Sequence, residues 1–114
     1  RMQVATRYGV RNKKLVQVIG EMEQHSEPPL STSQLALSIS VTRRQLERLV
    51  RLHLHDTPRN FYLGLRLEKA RQLRRRTAMS VLGVSLACGF ESPAYFTRSY
   101  RARFACAPRQ DRVG

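Results

Sequence analysis

Arg43, Arg44, Arg48 and Arg51, with Glu47 among them, fall on one side of a segment whose other side carries Leu46, Leu49, Val50 and His53. Further along, Arg98 and Arg101 follow Ser92, Pro93, Ala94 and Thr97, beside an apolar series of Phe96, Tyr100 and Phe104. Arginine carries a planar fork of N–H donors that matches a phosphate or the edge of a guanine, a geometry lysine lacks. Of the 21 basic residues, 18 are arginine, and only 8 acidic residues oppose them, leaving a net charge of +13 on 114 residues. Such an excess selects a polyanion as partner. The bland alternatives are that these arginines line solvated helix faces, and that Arg48 pairs with a local carboxylate.

The elements that must hold these residues read as helices. Leu15, Val16, Ile19 and Met22 recur at helical spacing and fade near Gln24, before Glu27, Pro28 and Pro29. Ser31, Thr32 and Ser33 offer capping hydroxyls to a short helix with Leu35, Ala36 and Ile39. Thr42 caps the arginine-bearing helix. Thr57-Pro58 opens a long one reaching about Arg76, with Phe61, Tyr62, Leu65, Ala70 and Leu73 among its apolar positions. Ser80 starts a short helix stopped by Gly89, Ser92-Pro93 starts the next, and Ala107-Pro108 starts a last half-turn. No stretch alternates polar and apolar residues long enough for a strand. The reading is all-α with about seven helices: a basic linker over 1–11, a first helix-turn-helix lobe over 12–56, a connecting helix over 57–77 and a second lobe over 78–114.

The two lobes are matched. Thr42 is followed by Leu46, Arg48 and Val50 at the same steps that separate Ser92 from Phe96, Arg98 and Tyr100. Ahead of each cap lies a short helix, in which Ala36 and Ile39 are paired here with Ala87 and Phe90. In a helix-turn-helix, a small residue lets two helices cross closely, and the second helix enters the major groove by its N-terminal half. A connecting helix from about Pro58 to Arg76 is roughly 28 Å long at 1.5 Å per residue. One turn of DNA is about 34 Å, so two reading helices could enter successive grooves.

Other chemistries find little support. There is no carboxylate pair on a shared face, no Gly-rich phosphate loop and no Ser/His/Asp set in a plausible relation, so no enzyme and no cofactor are expected. His53 and His55 lack the further donors a zinc site needs. Cys88 and Cys106 have no CxxC spacing and read as reduced thiols in a cytoplasmic core. No uncharged apolar stretch approaches the roughly 18 residues a bilayer span needs, so no membrane partner is expected. A basic module binding nucleic acid without sequence preference, or a helical protein-interaction module, is the alternative class. The first leaves the duplication unexplained, and contacts of the second kind, to RNA polymerase, would be additional to DNA binding.

The stretch Leu46-Glu47-Arg48-Leu49-Val50, with Thr57-Pro58, Leu65-Arg66-Leu67-Glu68-Lys69-Ala70-Arg71 and Leu86-Ala87-Cys88-Gly89-Phe90-Glu91-Ser92-Pro93-Ala94-Tyr95-Phe96-Thr97-Arg98, resembles the AraC/XylS family of bacterial transcription regulators over roughly residues 13–112. The resemblance implies two helix-turn-helix lobes on an asymmetric promoter. By position it implies base reading by Arg44, Glu47 and Arg48 in one lobe and by Pro93, Ala94, Thr97 and Arg98 in the other. Phosphate contacts would come from Ser33, Thr42 and Ser92, with the surrounding Arg43, Arg51 and Arg101. Double-stranded promoter DNA and RNA polymerase are the partners it implies, and activation the expected sign.

Leu63, Leu65-Arg66-Leu67 and Ala87-Cys88-Gly89-Phe90 are also similar to a subgroup whose sensor domains resemble PfpI and amidotransferase folds and respond to amino acids or other nitrogen compounds. The chain opens on Arg1 rather than methionine, so a longer protein with an effector-binding N-terminal domain is expected.

Five positions depart from the family pattern. Glu47 stands where Gln is common, and His55 and Ala105 stand at turns that usually carry Gly. Arg74 stands for a usual Leu and Asp111 for a usual Tyr, which together predict loose packing or surface drift. The run Arg74-Arg75-Arg76 is expected to be a solvated helix end.

Overall fold

The computed structural model describes residues 8–111, and among them the chain forms six helices and no strand. They are α1 (Lys13–Gln24), α2 (Thr32–Ser38), α3 (Arg43–Leu54), α4 (Pro58–Arg76), α5 (Val81–Ala87) and α6 (Pro93–Phe104). The all-α reading of about seven helices agrees with this. The chain divides into two compact units, one comprising residues up to His25 with Pro29–Tyr62, the other Ser26–Pro28 with the residues from Leu63 onward.

In the first unit α1 packs on α2 and α2 on α3. Its core is Val10, Leu15, Val18, Ile19, Met22, Leu35, Ala36, Ile39, Leu46 and Val50. Burying one such aliphatic side chain stabilises a fold by about 1.5–3 kcal/mol. Of the expected linker, residues 1–7 lie outside the described residues, while Val10 is only 3% exposed. Packing therefore begins ahead of Asn12, the cap of α1. Val16 is half-buried and its neighbour Val18 takes the core position. His53, expected on the apolar face of α3, is exposed, because the buried stripe of that helix runs only through Leu46 and Val50.

Both short-range ends of this unit are satisfied by side chains. Ser31 accepts from the Gln34 N–H while the Gln34 side chain accepts from the Ser31 N–H, and Thr42 and Gln45 repeat the reciprocal pair. The cap of α2 is thus Ser31, and Ser33 lies inside the helix rather than at its start. Lys14 donates from Nζ to the Ile39 carbonyl at 2.6 Å, covering the C-terminus of α2. The Tyr62 hydroxyl accepts from the Leu30 N–H at 2.9 Å and donates to the His25 carbonyl, tying down the loop between α1 and α2.

The second unit gathers Leu67, Ala70, Val84, Cys88, Phe90, Phe96 and Tyr100 into one cluster, edged by Leu63, Leu73, Met79, Val81, Phe104 and Cys106. Phe90, Phe96, Tyr100 and Phe104 form a chain of tilted and edge-on ring contacts, with centroids 4.7–5.7 Å apart. Gly64 is buried on α4, and a Cβ there would meet the Arg103 guanidinium at 2.9 Å. Its absence lets Arg103 lie across α4 to reach Glu68 at 3.1 Å.

The predicted looseness around Arg74 and Asp111 is overturned. Arg74 is 3% exposed and donates to the carbonyls of Pro108 (2.8 Å), Met79 (3.2 Å) and Arg109 (3.3 Å). Asp111 is 4% exposed and accepts from the Tyr100 hydroxyl at 2.6 Å and from Arg75 at 2.8 Å, with Arg71 at 3.2 Å. Arg74 and Arg75 therefore do not form a solvated helix end. Three carbonyls hold the buried Arg74 and the buried Asp111 carboxylate holds the exposed Arg75, while Arg76 is exposed with no ion pair among the described residues.

Burial alone would raise the Asp111 pKa. The hydrogen bonds from Tyr100 and Arg75 and the charges of Arg75 and Arg71 outweigh it and hold the carboxyl below its ordinary range. The same burial, with the Asp111 charge beside it, pushes the Tyr100 phenol up. Burial also pushes the Cys88 thiol up to about 11, against the attraction of Lys69 and Arg66.

Candidate nucleic-acid interface

The duplication is clearest in the backbone. Val41 N–H bonds the Ala36 carbonyl at 3.0 Å, and Phe90 N–H bonds the Ser85 carbonyl at 2.9 Å. Ser40 and Gly89, one residue earlier in each turn, both adopt positive φ, 59° and 82°. Ser31, Leu35, Ala36, Ile39, Ser40 and Val41 therefore correspond to Ser80, Val84, Ser85, Cys88, Gly89 and Phe90. This corrects the sequence pairing of Ala36 with Ala87 and of Ile39 with Phe90. The small residue at the second crossing is Ser85, 1% exposed, which packs like an alanine because its hydroxyl donates to the Leu82 carbonyl of its own helix. After one extra residue, Glu91, the match resumes. Thr42, Leu46, Val50 and His55 correspond to Ser92, Phe96, Tyr100 and Ala105.

The second helix of each unit carries the candidate side chains. On α3, Arg43, Arg44, Glu47, Arg48 and Arg51 are all exposed. Arg43 pairs with Glu47 at 3.4 Å, an open pair of the kind that contributes about 0.3–0.5 kcal/mol. Arg44, Arg48 and Arg51 form no ion pair among the described residues, so the local bridge considered for Arg48 is absent there. Gln45, Arg48, Leu49, Arg51 and Leu52 line an open, largely apolar depression along one side of the helix. Leu52, 71% exposed, was not singled out in the sequence, where a leucine at this spacing reads as core.

On α6, Ser92, Pro93, Ala94, Arg98 and Arg101 are exposed and Thr97 is half-buried. Ser92 accepts from the Tyr95 N–H at 3.2 Å and fixes the first turn. The Arg98 guanidinium lies 6.0 Å from the centre of the Tyr95 ring, a contact with a residue that the sequence reading passed over.

Both helices end alike. His55 and Ala105 take the left-handed conformation with φ of 55° and 61°, and each N–H closes on the carbonyl of the arginine four residues back. The turn geometry that glycine usually supplies is thus kept without it. None of the six helices has an acidic residue in its first turn, and α3 begins with two arginines. Cations at a helix N-terminus oppose the helix dipole, and an approaching anion relieves both. No group of His, Cys, Asp or Glu among the described residues could hold a metal, and none of the described helices is long and apolar enough to cross a membrane.

Two helix-turn-helix units, each turning an arginine-bearing second helix to solvent, define a DNA-binding domain of the duplicated helix-turn-helix class. A family model described as a helix-turn-helix domain matches residues 35–113. The chain is 77% identical over 113 residues to the HTH-type transcriptional regulator CdhR of Pseudomonas aeruginosa, covering 99% of this chain and 34% of that protein. It is 42% identical over 106 residues to the regulator GbdR of the same species, covering 93% and 29%.

Among solved structures, an AraC-type regulator from Chromobacterium violaceum superposes with a TM-score of 0.83 at 44% identity, covering 86% of this chain and 88% of that one. The DNA-binding domain of AdpA, solved with a target DNA, shares the fold at a TM-score of 0.79 and 23% identity, covering 86% and 88%. The chain belongs to the AraC/XylS family of transcription regulators. It spans about a third of the length of the curated relatives it matches.

Proposed function

We propose that this domain selects a promoter by inserting α3 and α6 into successive major grooves of double-stranded DNA, as part of an effector-responsive bacterial activator that also contacts RNA polymerase in the cytoplasm. The observation that carries the reading is the pair of matched second helices with exposed arginines that form no ion pair among the described residues, Arg44 and Arg48 on one and Arg98 and Arg101 on the other. Arg44, Glu47 and Arg48 read bases from α3; Pro93, Ala94, Thr97 and Arg98 read them from α6. Arg43, Arg51, Arg101 and the capped starts at Thr42 and Ser92 hold phosphates. The chain spans only about a third of the relatives' length, which leaves room for a sensing domain in a longer protein, and a nitrogen compound or amino acid is the effector class the resemblance favours. No catalytic role is assigned. Binding without sequence preference is the competing reading, and the duplicated, individually capped helices speak against it.

The test is selection of a duplex from a randomised pool by this chain, followed by footprinting and titration with salt. Two protected patches about one turn apart are expected, with affinity falling linearly in log salt. Arg98→Ala should weaken the selected duplex by about 1–3 kcal/mol and a random duplex by less. An unenriched pool would overturn the reading.

A further inference from the structure

We propose that Asp111 is a positioning residue for base reading by α6, acting through the Tyr100 hydroxyl. The inference rests on the reading of α6 as a recognition helix. Asp111 follows the last turn of the second unit, yet its carboxylate is buried where that turn, α4 and α6 meet. One oxygen takes the Arg75 Nε at 2.8 Å; the other takes the Tyr100 hydroxyl at 2.6 Å and lies 3.2 Å from the Arg71 Nε. Arg74, one turn from Arg71 and beside Arg75, holds the backbone just ahead of Asp111 through the Pro108 and Arg109 carbonyls. Arg71 in turn lies over the Phe104 ring at 4.6 Å, a second contact to the same helix.

Tyr100 is fully buried on α6, one turn beyond Thr97 and two residues beyond Arg98. A side chain wedged among apolar neighbours alone leaves a helix free to roll by small angles. A rotation of about 20° carries a tip about 6 Å from the axis through about 2 Å. That exceeds the latitude of an N–H···O bond several-fold. The hydroxyl–carboxylate bond removes this freedom, because a roll of α6 would draw the Tyr100 oxygen off an acceptor anchored from α4. In the first unit the corresponding position is Val50, which has no polar atom to pin. The departure of Asp111 from the family pattern therefore gains a role: it fixes the angle at which Thr97 and Arg98 leave the protein.

The experiment compares the chain with its Asp111→Asn and Tyr100→Phe variants, on the selected duplex and on a random duplex, well below their melting temperatures. Each variant should bind the selected duplex about tenfold more weakly while its affinity for the random duplex changes by less than about twofold. Asp111→Asn should add less to the loss caused by Arg98→Ala than it costs alone, since part of the contact it misplaces is already gone. Equal losses on both duplexes, or losses that add in full to that of Arg98→Ala, overturn the proposal. Tyr100→Phe keeps the ring and serves if Asp111→Asn does not fold. If Arg98→Ala alone fails to separate the two duplexes, base reading by Arg98 falls too, and that single variant tells this failure from the others.

Discussion

The two units solve one problem by different means. The first holds its second helix by reciprocal side-chain caps and aliphatic packing, with Ser31–Gln34, Thr42–Gln45, Leu46 and Val50 in the corresponding places. The second has Gly83 and Tyr95 where the first has Gln34 and Gln45, and so lacks the returning half of each cap. It uses rings and buried charge instead: Phe96 and Tyr100 in the stripe, with Arg74 and Asp111 behind them. A shared backbone scheme thus leaves the core chemistry free to diverge. The divergence runs from a yielding, apolar seat for α3 to a directional, hydrogen-bonded one for α6.

The sharpest way to break this comparison is to empty the matched core positions. Phe96→Ala should cost about 3–5 kcal/mol and Leu46→Ala about 2–5 kcal/mol. Hydrogen exchange should show the first loss in α5 and α6 and the second in α1 to α3. Equal loss of protection throughout for either variant would show that the units do not respond separately.

Acid and alkali come next in size. Asp111 has a folded pKa below its unfolded value of about 3.9, so its stabilisation is complete above that value and is lost as pH falls through the lower one. Cys88 is raised from 9.0 to about 11, so its contribution is complete below 9 and is lost as pH rises through 11. Melting curves should therefore show the second unit weakening in both windows, and Asp111→Asn should remove the acid limb.

The smallest effect concerns the left-handed helix ends. Ala105→Gly should stabilise by about 0.5–1 kcal/mol, since an alanine is strained there. His55→Gly should gain less, because histidine tolerates that region better. A larger gain at His55, read by thermal melting, would reverse the ranking.

Much of the fold could be read from the sequence, because its signals are local. Thr42, Thr57, Ser80 and Ser92 were all recognisable as caps, and each hydroxyl accepts from the N–H three residues on. The spacing of Phe96 and Tyr100 gave the buried face of α6. The exact pairing of the units was harder, since Ala87 mimics Ala36 while Ser85 conceals its likeness by satisfying its own hydroxyl within the helix. Arg74 and Asp111 were misread for a different reason. A buried charge is favourable only through partners distant in sequence, here Pro108, Arg109, Tyr100 and Arg71, and no periodicity announces such partners. The exposed arginines of α3 and α6 are legible as faces, but the Arg43–Glu47 pair and the Tyr95–Arg98 contact depend on side-chain rotamers that spacing does not set.

The Asp111 cluster has a consequence for the second unit as an electrical object. Its carboxylate resists protonation, and its phenol and the Cys88 thiol resist ionisation. The buried part of this unit therefore presents the same set of charges throughout the neutral range. Whatever acidity does to binding through this unit must be written on its surface.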